Sequence, residues 1–163
     1  FEYKEMFVKV TLTHMKGITD ELTGAYNRGV LPEITTSKND TFVYIDLDNL
    51  KGINDIYGHD VGDEVLKLLV ENIKSHLRST DLIIRMGGDE FLVILKDCTK
   101  DKANEIFERL CLTFMTNHPL HPTFSYGILT FEKSFSETLK TVDMLMYKMK
   151  ESKKIENLND TEE

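Results

Sequence analysis

Two glycines followed at once by two acids, Gly87-Gly88-Asp89-Glu90, sit between the apolar runs Leu82-Ile83-Ile84 and Phe91-Leu92-Val93-Ile94-Leu95. Each run reads as a strand. A two-residue glycine link suits a tight hairpin, because primed turns need positive φ and glycine supplies it without steric cost. Glycine also leaves bare backbone for something to approach. Asp89 and Glu90 alternate faces on the outgoing strand, so one of them can point at that visitor. Bare backbone beside a carboxylate suits a phosphate ester accompanied by a metal ion. The plain alternative is a surface hairpin with a solvated acidic tip.

A second pair of acids ends another strand. Thr41-Phe-Val-Tyr-Ile-Asp-Leu-Asp48 is β-branched and aromatic, and period two places Asp46 and Asp48 on one face. Carboxylates at a strand's carboxyl end are where open α/β sheets bind ligands, and hard oxygens suit Mg²⁺, which needs only one or two protein carboxylates beside substrate phosphates. Loop punctuation by aspartate is the alternative. If the hairpin pairs beside residues 41–48, Asp46 and Asp89 could share one or two cations, as in two-metal phosphoryl transfer.

Asn54-Asp-Ile-Tyr-Gly-His59-Asp-Val-Gly-Asp63 forms a third cluster. Asp63 in a first helical turn favours the macrodipole, and an Asn with an Asp can also read a purine edge. His59 alone is more often structural. Arg78-Ser-Thr-Asp81 reads as a helix-end Arg with a turn Asp, and Lys150, Lys153 and Lys154 suit the carboxyl end of a last helix.

These groups need a scaffold. Periodicity predicts helices over about 61–79 (Val61, Val65, Leu68, Leu69, Ile73, Leu77), 100–117 (Ala103, Ile106, Phe107, Leu110, Phe114) and 134–151 (Leu139, Val142, Leu145, Met146, Met149). Strands are expected over 41–48, in a hairpin over 82–95, and over 123–131. Residues 49–60 read as a loop or irregular helix, and a short helix is expected near 29–34. Residues 1–18 fit either period and lean to helix, on a stripe of Phe1, Val8, Leu12 and Met15. The hairpin breaks a purely parallel order, so the fold class is α/β (α+β), with a single mixed, mainly antiparallel central sheet flanked by helices. The expected organisation is an N-terminal linker or signalling helix over 1–18, a catalytic domain over 19–155, and a flexible acidic tail over 156–163.

Composition narrows the functions. The 163 residues fit one domain with a real core. A net charge of −8, from 28 acids and 20 bases, argues against nucleic acid and anionic membranes as partners, though a divalent cation can still recruit an anionic substrate. A template-dependent polymerase would need a basic groove. No segment is long and apolar enough to span a membrane. Cys98 and Cys111 lack metal or redox spacing and read as reduced thiols of a cytoplasmic protein. The start at Phe1 fits a piece of a longer protein, membrane-anchored or not, with a sensory or regulatory domain attached.

In order, these segments resemble the GGDEF family of diguanylate cyclases. The signature stands as Gly87-Gly88-Asp89-Glu90-Phe91, preceded by Arg85. Asp20-Glu-Leu-Thr-Gly24-Ala-Tyr-Asn27-Arg28 resembles the family's D-x-L-T-G-L-x-N-R, and Asp46-Leu-Asp48-Asn-Leu-Lys51-Gly-Ile-Asn54-Asp55 resembles D-x-D-x-F-K-x-x-N-D. Gly58-His59-Asp-Val-Gly62-Asp63 matches G-H-x-x-G-D, Ser125-Tyr-Gly127 matches S-x-G, and Asp143-Met-Leu-Met146-Tyr147-Lys-Met-Lys150 resembles D-x-A-M-Y-x-A-K. The resemblance covers about 20–150. It implies a fold like nucleotide cyclases and polymerase palms. It implies condensation of two GTP into cyclic di-GMP and two pyrophosphates, by a two-fold homodimer with one GTP per chain.

By position, the resemblance gives Asp46, the Leu47 carbonyl, Asp89 and Glu90 two Mg²⁺ or Mn²⁺ per site. Asp89 and Glu90 are the catalytic acids, their division of labour left open. Gly87 and Gly88 admit the nucleotide. Asn54 and Asp63 read guanine, with His59 beside them, and Lys150 with Lys154 holds phosphates. Arg78, Asp81 and Arg109 form a product-inhibition site for cyclic di-GMP. The chain departs from the pattern at Ala25, Gly29, Leu50, Leu145 and Met149. Glu151-Ser-Lys-Lys154 replaces the usual Gly-Arg-Asn after Lys150, which puts the phosphate-holding end of the last helix in question. The alternative reading is a catalytically weak module that senses GTP or cyclic di-GMP.

Overall fold

A computed structural model describes residues 2–161. Four strands form one sheet in the order β2-β3-β1-β4: β1 (Thr41–Leu47), β2 (Leu82–Arg85), β3 (Glu90–Leu95) and β4 (Phe124–Thr130). All three pairings are antiparallel. The mixed character is reduced to an isolated parallel bridge from Tyr26 to Ile84. β1 lies at the centre, and all seven of its residues are buried, as its unbroken β-branched and aromatic run demands.

Helices cover the two faces, and strand parity sorts the core between them. Val43, Ile45, Leu47, Phe91 and Val93 face one way and pack with Val65, Leu69 and Ile73 of α3 (His59–Lys74) and Phe107, Leu110 and Phe114 of α4 (Lys100–Thr116). Phe42, Tyr44, Leu92 and Ile94 face the other way, against Val142 and Met146 of α5 (Phe135–Asp160). Gly127 fixes that second contact. A Cβ there would meet the α5 backbone, with Met146 N at 2.6 Å, so glycine lets α5 lie directly on β4.

Several boundaries differ from the expectation. Residues 50–57 are a regular helix, α2 (Leu50–Tyr57), because Gly58 at φ 92° turns the chain cleanly into α3. α3 then stops at Lys74, well short of 79, where the Ser75 and His76 side chains bond back to the Asn72 carbonyl. α5 runs on to Asp160, past the 155 where a frayed tail was expected. Neither Gly nor Pro interrupts it, and Lys154 pairs with Glu151 one turn back. A 3₁₀ turn occupies Arg28–Glu33 near the expected short helix.

The first helix, α1 (Glu2–Gly17), stands off the body. Val8, Leu12 and Met15 of its expected stripe are exposed (54%, 59% and 42%), so this stripe does not join the core. Phe1 lies outside the described residues, as do Glu162 and Glu163 of the acidic tail. Asn27 ties the helix end to the domain by donating to the Gly17 carbonyl, and His14 meets Glu33 at 2.9 Å.

Candidate active site

Antiparallel register brings the two acidic strand tips together. Asp46 of β1 and Glu90 of β3 are direct cross-strand partners, so both project from the α5 face. The Leu47 amide donates to the Asp89 carbonyl (2.9 Å), which pins the signature loop to the end of β1. Asp46 is 8% exposed. Its Oδ2 meets Lys150 Nζ at 2.9 Å, while Oδ1 is buried without any donor among the described residues. Burial, opposed by the Lys150 hydrogen bond and reinforced by repulsion from Asp89 and then Glu90, pushes the Asp46 carboxyl up to about 6. A buried carboxylate oxygen with no proton donor, facing two further acids, is a place for a cation.

The loop between β2 and β3 is not the two-residue primed turn expected. The strands end at Arg85 and Glu90, Met86 and Gly87 both donate to the Glu90 carbonyl, and neither Gly87 nor Gly88 has positive φ. Arg85 shapes the loop instead. Its guanidinium folds back to donate to the Gly87 carbonyl (3.2 Å) and the Gly88 carbonyl (2.7 Å), and Asp20 anchors it from the segment after α1. Arg28 adds a bond to the Met86 carbonyl. A Cβ on Gly88 would meet nothing within 4 Å. The fold itself therefore leaves room for a side chain there, and the bare backbone is useful to whatever comes from outside.

Asp48 does not share the Asp46 role. β1 ends at Leu47, and the Asp48 carboxylate is saturated by its own chain: Oδ1 accepts from Ser125, Oδ2 from Thr123 and Lys153. Lys153 also donates to the Phe124 carbonyl (2.6 Å), which clamps the distal part of α5 to β4. The lysine turned inward beside Lys150 is thus Lys153, whose side chain is 36% exposed against 64% for Lys154. Lys154 still borders the hollow of about 550 Å³ that these elements enclose, with Asp89, Lys51, His121, Lys150 and Lys153. That volume suits a nucleotide-sized ligand. The four lysines surround it with positive charge.

The remaining site residues fall into two further places. α2 packs on α3 so closely that the Asn54 carboxamide oxygen lies where a Cβ of Gly62 would be, one residue before Asp63. Of the three buried side-chain polar atoms without a partner among the described residues, Asn54 Oδ1 is the second, after Asp46 Oδ1. His59 opens α3 and is exposed. Arg78 and Asp81 form the turn into β2. Asp81 is buried and saturated, accepting from the Arg78 and Lys96 amides, whereas the Arg78 side chain is 58% exposed. Arg109 is exposed on α4 and does not line the hollow of about 420 Å³ beside Arg78, which Lys74 and Tyr26 share.

Among the described residues no three acidic, His or Cys side chains converge tightly enough to hold an ion alone. The donor set nonetheless fits a hard divalent cation, because Mg²⁺ takes few protein ligands when substrate phosphates supply the rest. No helix among the described residues is long and apolar enough to cross a membrane. Cys98 and Cys111 are free thiols, and burial pushes Cys111 up to about 11.

The sequence does not show three pairings: Arg85 with Asp20, Lys153 with Asp48, and the Tyr44 hydroxyl with Glu90, to whose Oε2 it donates at 2.9 Å. Each is a long-range contact that no local spacing announces.

Residues 17–156 match the family model described as the diguanylate cyclase GGDEF domain. The chain is 35% identical over 150 residues to the probable diguanylate cyclase DgcJ of Escherichia coli (strain K12), covering 85% of this chain and 30% of that protein. It is similar to the diguanylate cyclase SiaD of Pseudomonas aeruginosa, solved with its activator SiaC, at 27% identity and TM-score 0.76, covering 93% of this chain and 65% of that one. The coiled coil and GGDEF domain of DgcB from Caulobacter crescentus, solved with cyclic di-GMP, shares the fold at TM-score 0.82 and 19% identity, covering 93% and 90%. The chain spans less than half the length of the curated relatives it matches.

Proposed function

The chain belongs to the diguanylate cyclase GGDEF family, and on that premise we propose that it condenses two GTP molecules into cyclic di-GMP with release of two pyrophosphates. The observation that carries the reading is the Asp46–Glu90 cross-strand pair with an orphaned Asp46 oxygen, set against a glycine loop and a lysine-lined hollow. Asp46, the Leu47 carbonyl, Asp89 and Glu90 would hold two Mg²⁺ or Mn²⁺. Such ions, when bound, stabilise charge on the attacking and leaving oxygens of an in-line phosphoryl displacement.

The chain's own residues supply the rest. Lys150 is held by Asp46 and Lys153 by Asp48, so both ammonium groups stand at the mouth of the hollow. There they neutralise the triphosphate, with Lys154 at the rim. Asn54 and Asp63 flank the α2–α3 seam, where the carboxamide and the carboxylate would read guanine, with His59 beside them. Glu90 or Asp89 lies at the place where the ribose 3′ hydroxyl loses its proton. Arg85 keeps the loop from shifting as the nucleotide arrives, which preserves attack geometry.

Cyclic di-GMP is two-fold symmetric, and its synthesis needs two equivalent attacks. One GTP per chain, facing its twin across a homodimer axis, supplies both. Arg78, the exposed member of its turn, would grip returning product through a phosphate or guanine edge, with Arg109 as the further base. The test is pyrophosphate release from GTP with Mg²⁺ by the wild-type chain and by Asp46→Asn. Release by the former and not the latter supports the reading. Equal release by both removes Asp46 from the chemistry.

A further inference from the structure

We propose that Tyr44 is the positioning residue for Glu90, the acid whose role the sequence leaves undivided from Asp89; this rests on the two-acid metal site proposed above. Tyr44 lies two residues before Asp46 on β1, so both point to the α5 face. Its ring is 6% exposed and locked among Phe42, Leu92, Ile94, Val142 and Met146. Such a ring has almost no freedom, and its hydroxyl is delivered to one point in space. At that point it donates to Glu90 Oε2 (2.9 Å).

The consequence is a matched pair of half-satisfied carboxylates. Asp46 has Oδ2 held by Lys150 and Oδ1 without a donor; Glu90 has Oε2 held by Tyr44 and no hydrogen bond to Oε1 among the described residues. Cross-strand register sets the two acids side by side. Ligating carboxylates are characteristically hydrogen-bonded through the oxygen that does not bind the ion, which fixes their orientation. A phenol keeps its proton at neutral pH, so Tyr44 is a donor throughout the working pH range. Arg28 on the leading segment and Asp143 on α5 also face the phenol, and their charges oppose each other. Asp89 has no such restraint; its side chain makes no hydrogen bond among the described residues and borders the nucleotide hollow. Tyr44 thereby makes Glu90 the pre-set ligand and leaves Asp89 to follow the substrate.

The experiment counts Mn²⁺ bound, by the magnetic resonance signal of the free ion, in the presence of 3′-deoxy-GTP, which lacks the attacking hydroxyl. Tyr44→Phe keeps the ring and removes only the donor. It is expected to weaken Mn²⁺ binding about tenfold or more while leaving circular dichroism unchanged. Glu90→Gln should weaken it too, and the double variant should be no weaker than Glu90→Gln alone. Tyr44→Leu repeats the donor loss with a different apolar group, should the first variant fold poorly. Mn²⁺ binding by Tyr44→Phe equal to wild type, or a loss that adds in full to that of Glu90→Gln, overturns the assignment while the metal site stands. A wild-type chain that takes up no Mn²⁺ with the nucleotide overturns the metal site itself.

Discussion

Asp46 is where stability and function pull against each other. Its carboxyl sits at about 6 in the folded chain against 3.8 when free, so the folded state holds a proton that the unfolded chain releases across that window. This contribution to stability is present below 3.8 and lost as pH rises through about 6. Asp20 and Asp40 behave oppositely. Burial raises each, but bonds from Thr23 and Arg85 to Asp20, and from Lys96, Ser37 and Asp97 to Asp40, outweigh it and hold both below 3.8. Their contribution is present above 3.8 and lost as pH falls further. The melting temperature of the metal-free chain should therefore peak near 3.8 and decline on either side of it. Asp46→Asn should flatten the decline on the alkaline side and add about 1 kcal/mol at pH 7 by urea titration, while abolishing turnover. A steeper alkaline decline in the variant would contradict the electrostatics. At the opposite end of the molecule, Arg78→Ala should relieve product inhibition and leave the initial rate within about twofold, since the side chain is exposed and stabilises little. Unchanged inhibition by added cyclic di-GMP would remove Arg78 from that role.

Among the elements, the loop and α5 carry the positioning. Replacing Arg85 with Lys keeps the charge but cannot reproduce the three-way donation to Gly87, Gly88 and Asp20. Turnover should fall about ten- to a hundredfold with little change in melting temperature. Wild-type turnover would show that the loop holds its shape unaided. Gly127→Ala would force a methyl group into the α5 backbone and should cost roughly 1–3 kcal/mol, displacing Lys150 as it does so. Full stability and turnover in that variant would show that α5 has slack. Much of this frame was legible in advance. The acids at strand tips, the hairpin and three helical stripes all follow from periods of 2 and 3.6, which are local properties. What was illegible depended on partners distant in sequence. The turn departs from its expected type because Arg85 reaches back across it, and Asp20 lies 65 residues before Arg85. Lys153 and Lys154 are neighbours in one helix and point about 100° apart, and only the position of Asp48 shows which of them turns toward β4. For Asp48 the choice between cation ligand and loop punctuation stays open in the sequence, because Ser125 and Thr123, which fill its carboxylate, lie 77 and 75 residues away.

At the scale of the whole molecule, the chain sets one lysine-lined hollow beside Asp89, while the two-fold product proposed for it needs two such sites. Rate per chain should therefore rise with protein concentration and saturate as dimers form; a rate per chain constant on dilution would contradict a site completed by its twin. The paired strand-tip acids, the glycine loop and the lysine-lined hollow bear on one proposed transformation, and mass analysis of its product tests it most directly. Incubated with GTP and Mg²⁺, the chain should yield cyclic di-GMP and two pyrophosphates for each product molecule. GTP that is bound yet recovered intact, at protein concentrations where the chain is dimeric, would contradict catalysis and leave a nucleotide-sensing module.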